Sequence, residues 1–137
     1  MWNDMLALLK EAGIGSLATV CDGKPRNRPW GGPMEKDGKL YFCTGTFKEV
    51  CKQIRETPYV EFCSNFVNGK WVRIRGEVEF TDDLEAKTMV MDGAPGLRDV
   101  YHAPDDPSFG VFVMSHGEVI FGDFGRDVKL PPVTFEF

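Results

Sequence analysis

Three dipeptides constrain this chain more than any other feature. Asp22-Gly23, Asp37-Gly38 and Asn68-Gly69 each fall between runs of alternating apolar and polar residues. A tight reversal of the chain needs φ above zero, which Gly adopts freely and Asp and Asn tolerate. Such a pair between two period-two runs predicts antiparallel neighbours. The runs are 14–21, 24–34, 39–44, 59–66 and 71–80. The last is the clearest: Val72, Ile74, Val78 and Phe80 alternate with Trp71, Arg73, Arg75, Glu77 and Glu79. Gly76 interrupts its apolar face, marking a bulge or a close approach of backbone. Pro29 lies inside the second run, which puts that strand at a sheet edge or at a bulge.

Helical patterns punctuate the strands. In residues 2–12, Met5, Leu8, Leu9 and Ala12 share one face and Gly13 is a stop signal. Thr46-Phe47-Lys48-Glu49 has the form of a capping box. It predicts a helix that turns Val50, Cys51 and Ile54 inward and ends before Pro58. Asp82, with Glu85 three positions on, is expected to cap a helix reaching about Met91. Residues 93–107 carry Gly and Pro, with one helical turn near 97–101. Residues 109–114 and 118–124 read as a hairpin around His116-Gly117, and 133–137 as a final strand. The chain is thus mainly β with a few helices, and six or seven closely spaced antiparallel strands favour a barrel over an open sheet. One domain over 1–137 is expected, long enough to bury a core without staples.

Charge and cysteine usage narrow the function classes. A net charge of -5 argues against broad nucleic-acid binding but leaves room for a local basic pocket. No apolar run approaches the ~20 residues that span a bilayer. The start Met1-Trp2-Asn3-Asp4 lacks the basic region of a secretory signal. Cys21, Cys43, Cys51 and Cys63 form no C-x-x-C pair, so reduced thiols in the cytoplasm are expected. Cys43 and Cys63 are candidates for neighbouring strands, as packing residues rather than nucleophiles. His102 and His116 are far apart and belong to no convergent ligand set, so no metal is expected. No nucleophile or P-loop motif is present, and no side chain stands out as catalytic.

Three groups of residues have binding chemistry. Thr44, Gly45, Thr46 and Lys48 precede the second helix, whose free N–H groups and dipole suit an anion; the alternative is an ordinary capped helix with solvated lysines. Arg26, Arg28 and Trp30 share one face of a strand, where guanidinium and ring suit a phosphate or a planar ligand; the alternative is a solvated edge. Trp71, Arg73 and Arg75 suit an interface or a ligand wall; the alternative is pairing with cross-strand acids such as Glu61.

In order, 15–20 (Gly-Ser-Leu-Ala-Thr-Val), 23–29 (Gly-Lys-Pro-Arg-Asn-Arg-Pro), 40–45 (Leu-Tyr-Phe-Cys-Thr-Gly), 52–60 and 71–79 resemble the pyridoxamine 5′-phosphate oxidase-like family of FMN-binding split barrels. The resemblance covers about residues 2–92. It implies a six-stranded antiparallel split β-barrel forming a homodimer, with FMN at the subunit interface and no membrane or nucleic-acid partner. Arg28, Pro29, Trp30 and Gly31 would line the flavin, Thr44, Gly45, Thr46 and Lys48 would hold its phosphate, and Trp71, with Arg73, would approach from the other subunit. The chain departs from the family at Lys48-Glu49-Val50, where many members carry Ser-x-Lys, and at Pro33, where relatives that bind the oxidase substrate carry lysine. The expected function is a flavin-dependent oxidoreductase of unknown small-molecule substrate, the departures weighing against oxidation of pyridoxamine phosphate. The alternatives are a dimer that carries flavin or haem without turnover, and an interaction module.

Overall fold

The computed structural model describes residues 1–125 and 129–137. The three dipeptides do what their chemistry requires. Asp22 and Gly23 have φ of 53° and 72°, Asp37 and Gly38 52° and 75°, Asn68 and Gly69 52° and 78°. Both central residues of each turn are left-handed, the geometry that matches the twist of paired strands. Around the first turn, β1 (Ile14–Cys21) and β2 (Lys24–Gly31) pair along their whole length, from Cys21 opposite Lys24 to Ile14 opposite Gly31. Around the second, β3 (Met34–Lys36) pairs with β4 (Lys39–Gly45).

After helix α2 (Glu49–Glu56) come β5 (Tyr59–Ser64), β6 (Lys70–Glu77) and β7 (Glu79–Thr81). Helices α3 (Leu84–Gly93) and α4 (Leu97–Tyr101) precede β8 (Phe109–Met114), β9 (Glu118–Asp123) and β10 (Val133–Glu136). The strands form two antiparallel sheets, ordered β10-β9-β6-β5-β1-β2 and β3-β4-β8-β7. Neither sheet closes on itself, so the barrel is split. Pro29 sits on β2, an edge strand, where its missing N–H leaves no ladder bond unmade.

Three expectations are corrected, all for one reason: the chain turns corners from one sheet to the other. The run 24–34 breaks at Gly32-Pro33 into β2 and β3; Gly32 N–H donates to Gly13 O at 2.9 Å instead of continuing the ladder. The run 71–80 breaks at Val78, whose N–H donates to Pro58 O at 3.0 Å. Residues 109–114 and 118–124 form no hairpin: β8 pairs with β4 and β7, while β9 pairs with β6 and β10. Gly117 instead exchanges hydrogen bonds with Phe137 at 3.1 and 3.0 Å. Gly76 is the close approach, since a Cβ there would stand 2.7 Å from His116 O. Cys43 and Cys63 consequently lie in different sheets, and all four thiols are free.

The capping box also fails to form. Thr46 is fastened to the chain before β8, its N–H donating to Ser108 O at 2.9 Å and its hydroxyl to Pro107 O at 2.9 Å. Helix α2 therefore begins after Lys48, which has no side-chain capping bond. The third helix is capped one residue later than expected, by Asp83 accepting from Glu85 N at 3.2 Å.

Inside the barrel, Leu17, Leu40, Phe62, Val72, Ile74, Phe112 and Met114 form one cluster. The Phe42 and Phe112 rings stack at 5.1 Å and 7°. Helix α1 (Trp2–Ala12) lays Met5 and Leu9 into the same cluster. Its C-terminus closes with Gly13 at φ 69°, donating to Leu9 O. The outer face of the four-stranded sheet carries a second cluster, Phe109 and Val111 against Val90, Met91 and Tyr101 of α3 and α4. The outward residues of the six-stranded sheet, among them Ser16, Ala18, Glu61, Trp71 and Arg73, are only half-buried. No helix among the described residues is long and apolar enough to cross a membrane.

Candidate functional site

Edge strand β2, the end of β4, the start of α2 and the short α4 surround a cleft of about 430 Å³, within the range of small-molecule sites. Its walls are Arg28, Pro29, Trp30 and Gly31 from β2, Cys43 and Thr44 from β4, Lys48, Glu49 and Val50 from α2, and Leu97 and Tyr101 from α4.

Arg28 is the best-anchored of these. Its Nη1 donates to Leu17 O at 3.2 Å and Thr19 Oγ1 at 2.9 Å, and its Nη2 to Gln53 Oε1 at 2.9 Å. Thr19 donates to the same Gln53 oxygen at 2.6 Å. The clamp ties β2 to β1 and α2 and leaves Nε–H and one Nη2–H of the five guanidinium donors. Burial, with the charge of Arg26 behind it, lowers the Arg28 pKa from its ordinary value; the group stays cationic. Trp30 is half-buried, with its ring 6.1 Å from Phe112.

At the other wall, Cys51 N–H reaches Lys48 O at 3.1 Å. The Glu49 and Val50 N–H groups at the head of α2 have no intrahelical acceptor. Lys48 is exposed and sits at the positive end of the helix dipole, an unfavourable place for a cation unless an anion joins it. Glu49 supplies one fixed negative charge in the same turn. Thr44 is 5% exposed, and its hydroxyl has no oxygen or nitrogen partner; only the Cys51 sulfur, a weak acceptor, lies beside it. A buried hydroxyl left in this state loses about 1–3 kcal/mol relative to a bonded one. Two cations, first-turn N–H groups and an unpartnered hydroxyl together suit a phosphate.

The cleft offers no proton-transfer group near neutrality from Cys43 or Tyr101. Burial pushes the Cys43 thiol up to about 11, against the pull of Lys48. Burial also raises the Tyr101 phenol, with Cys43, Cys51 and Asp106 adding to it. Cys51 donates to Gly45 O at 3.2 Å, and burial raises its pKa too.

Of the residues named from sequence, the structure brings Arg28, Pro29, Trp30, Gly31, Thr44 and Lys48 together. Gly45 is buried behind the cleft, where a Cβ would stand 2.6 Å from the Phe47 ring and 3.0 Å from Tyr101 Oη. Thr46 lines a different cleft. Trp71 lies on the outer face of the six-stranded sheet, with Arg73 5.2 Å from its ring. Arg75 pairs with Glu118 at 2.7 Å rather than with Glu61, which faces it across the ladder. Sequence reasoning missed Leu97 and Tyr101. Only the apolar pair at the ends of a one-turn helix marked them.

A split antiparallel barrel with this cleft at its edge is of the FMN-binding type. The sequence matches the family described as pyridoxamine 5′-phosphate oxidase over residues 1–121, and the chain belongs to that family. It is similar to a NimC/NimA family protein from Clostridium acetobutylicum, at 33% identity and TM-score 0.86, covering 98% of this chain and 92% of that one. It shares its fold with a pyridoxamine 5′-phosphate oxidase-related, FMN-binding protein from Nostoc punctiforme, at 19% identity, TM-score 0.63, and 99% and 94% coverage. It also shares it with a haem-binding protein from Mycobacterium smegmatis, at 18% identity, TM-score 0.70, and 93% and 55% coverage. None of the curated proteins matches the sequence significantly.

Proposed function

We propose that this chain binds FMN in the cleft between β2 and α2 and serves as a flavin-dependent oxidoreductase for a small molecule. The observation that carries the reading is the buried Thr44 hydroxyl without a partner, on the same cleft as Lys48 and the head of α2. Thr44, Lys48 and those N–H groups would hold the phosphate, and Arg28 would add charge through its free donors. Trp30, Gly31, Leu97 and Tyr101 would wall the ring. When bound, the flavin supplies hydride and single-electron transfer. The protein then has to bind, orient and exclude water; Cys43 and Tyr101, both protonated at neutral pH, would take no part as bases.

We also infer a homodimer. Glu61 Oε1 and Arg73 Nε are buried on the outer face of the six-stranded sheet without partners, and the Trp71 ring lies beside Arg73. A second copy docked there would supply the missing partners. The four unbridged cysteines support a cytoplasmic setting.

Titration of the purified protein with FMN, followed by flavin absorbance and fluorescence, tests the reading. Saturable binding is expected, weakened about tenfold or more by Lys48→Glu through charge reversal at the phosphate. No binding by the unaltered protein overturns it. A second reading, carriage without turnover, draws on the absence of a neutral-pH base from Cys43 and Tyr101. Reduction by NAD(P)H followed by reoxidation with an electron acceptor separates enzyme from carrier.

A further inference from the structure

A second cleft, of about 420 Å³, opens on the other side of the turn between β4 and α2. Thr44 and Lys48 border the first cleft; Thr46, between them in sequence, borders this one. Its floor comes from Phe80 at β7 and from Phe109 and Gly110 at β8. Gly110 keeps the space open, since a Cβ there would stand 3.0 Å from Thr46 Cγ2 and 3.4 Å from Phe80 Cε1.

Two cations line this cleft. Lys87 of α3 is 8% exposed, and its Nζ lies 5.8 Å from the centre of the Phe109 ring. Arg55 of α2 holds its guanidinium 4.2 Å over the Phe80 ring. Among the described residues neither makes an ion pair. The Lys87 stem is enclosed while its Nζ stays open to the cleft, a position proteins ordinarily balance with a carboxylate. Here Asp82 and Asp105 stand exposed at the rim, out of ion-pair reach. Asp106, the carboxylate that senses the Lys87 charge, is already bonded to the Ser108 N–H at 2.9 Å and hydroxyl at 2.8 Å. The ring contacts hold both cations in place but do not neutralise them.

We propose that this cleft binds a small oxyanion, a carboxylate or a phosphate, with Lys87 as the inner charge and Arg55 as the outer one. The rim carboxylates disfavour ligands with several negative charges. The site is separate from the flavin cleft and stands whether or not FMN binds there.

The test is an NMR titration of the full chain with sodium acetate and, in a second arm, sodium phosphate, each at ionic strength matched with chloride. The amides of Thr46 and Gly110 are followed. Saturable shifts are expected in at least one arm, and the arm that responds names the ligand chemistry. Affinity is expected to fall about tenfold or more in Lys87→Met and about threefold in Arg55→Gln, and to hold in Lys48→Ala. Lys87→Met replaces the stem with an apolar chain of similar length; should it not fold, the exposed Arg55→Gln decides. Shifts that do not saturate overturn the proposal. So do shifts that survive Lys87→Met, that vanish in Lys48→Ala, or that Arg55→Gln leaves unweakened.

Discussion

The two sheets treat their outer faces differently. The four-stranded sheet is covered twice, by the barrel core within and by α3 and α4 without, so all six residues of β8 are buried. The six-stranded sheet has core on one side only, and its edge strand β2 buries no residue fully. A strand buried on both faces contributes packing energy and little else. A strand with one face uncovered keeps polar side chains on that face, Glu61 and Arg73 among them, and these are positions a ligand or a second chain can use. The cleft proposed for FMN lies where the two regimes meet, between uncovered β2 and covered β4.

The contrast can be broken most directly at Phe112, which is fully buried and touches Phe42, Phe80 and Trp30. Phe112→Ala is expected to cost about 3–5 kcal/mol, read from urea unfolding. A loss below ~1 kcal/mol would remove β8 from the role of scaffold.

Next in size is the pH dependence of the covered face. Burial raises the folded-state pKa of Cys43 from 9.0 to about 11. The folded state thus favours the thiol, and this contribution is fully present below about pH 9. It is lost as pH rises from there through about 11, for a total of ~2–3 kcal/mol. Unfolding free energies of wild type and Cys43→Ala, measured from pH 7 to 11, should converge by that amount as pH rises. Parallel curves would show that Cys43 ionises as freely folded as unfolded.

On the uncovered face, Trp71→Ala is expected to weaken self-association about tenfold, ~1.4 kcal/mol, in sedimentation equilibrium. The stability of the monomer should change by less. Equal loss in both would make Trp71 a core residue of the protomer. The smallest effect belongs to Thr44→Val. Removing an unpaired hydroxyl should leave stability unchanged or raise it by up to ~1 kcal/mol, while FMN affinity falls about fivefold. A parallel fall in stability would mean that the hydroxyl is satisfied inside the chain.

Local chemistry was legible in the sequence. Asp22-Gly23, Asp37-Gly38 and Asn68-Gly69 announced their turns because φ above zero is a property of those residues themselves. The alternation in 71–77 announced the buried Val72 and Ile74 for the same reason. The corners were not legible. Val78 changes sheets because Pro58 O captures its N–H, and that carbonyl lies twenty residues away in sequence. The capping box at Thr46 failed because Pro107 competed for its hydroxyl across the fold. Within the cleft between β2 and α2, both of those walls were readable from Arg28, Trp30 and Lys48. The wall from α4 was not, because Leu97 and Tyr101 reach it only through the packing of α3 and α4 on the outer sheet face.

The stretch from Thr44 to Lys48 is a party wall between two chambers. Thr44 and Lys48 face one room, Thr46 faces the other, and Gly45 has no space for a side chain on either side. Thr44, Thr46 and Lys48 of one short stretch therefore line two recesses, and drift at any of them is felt in both. Among homologues, these positions should vary in step with the lining of both recesses.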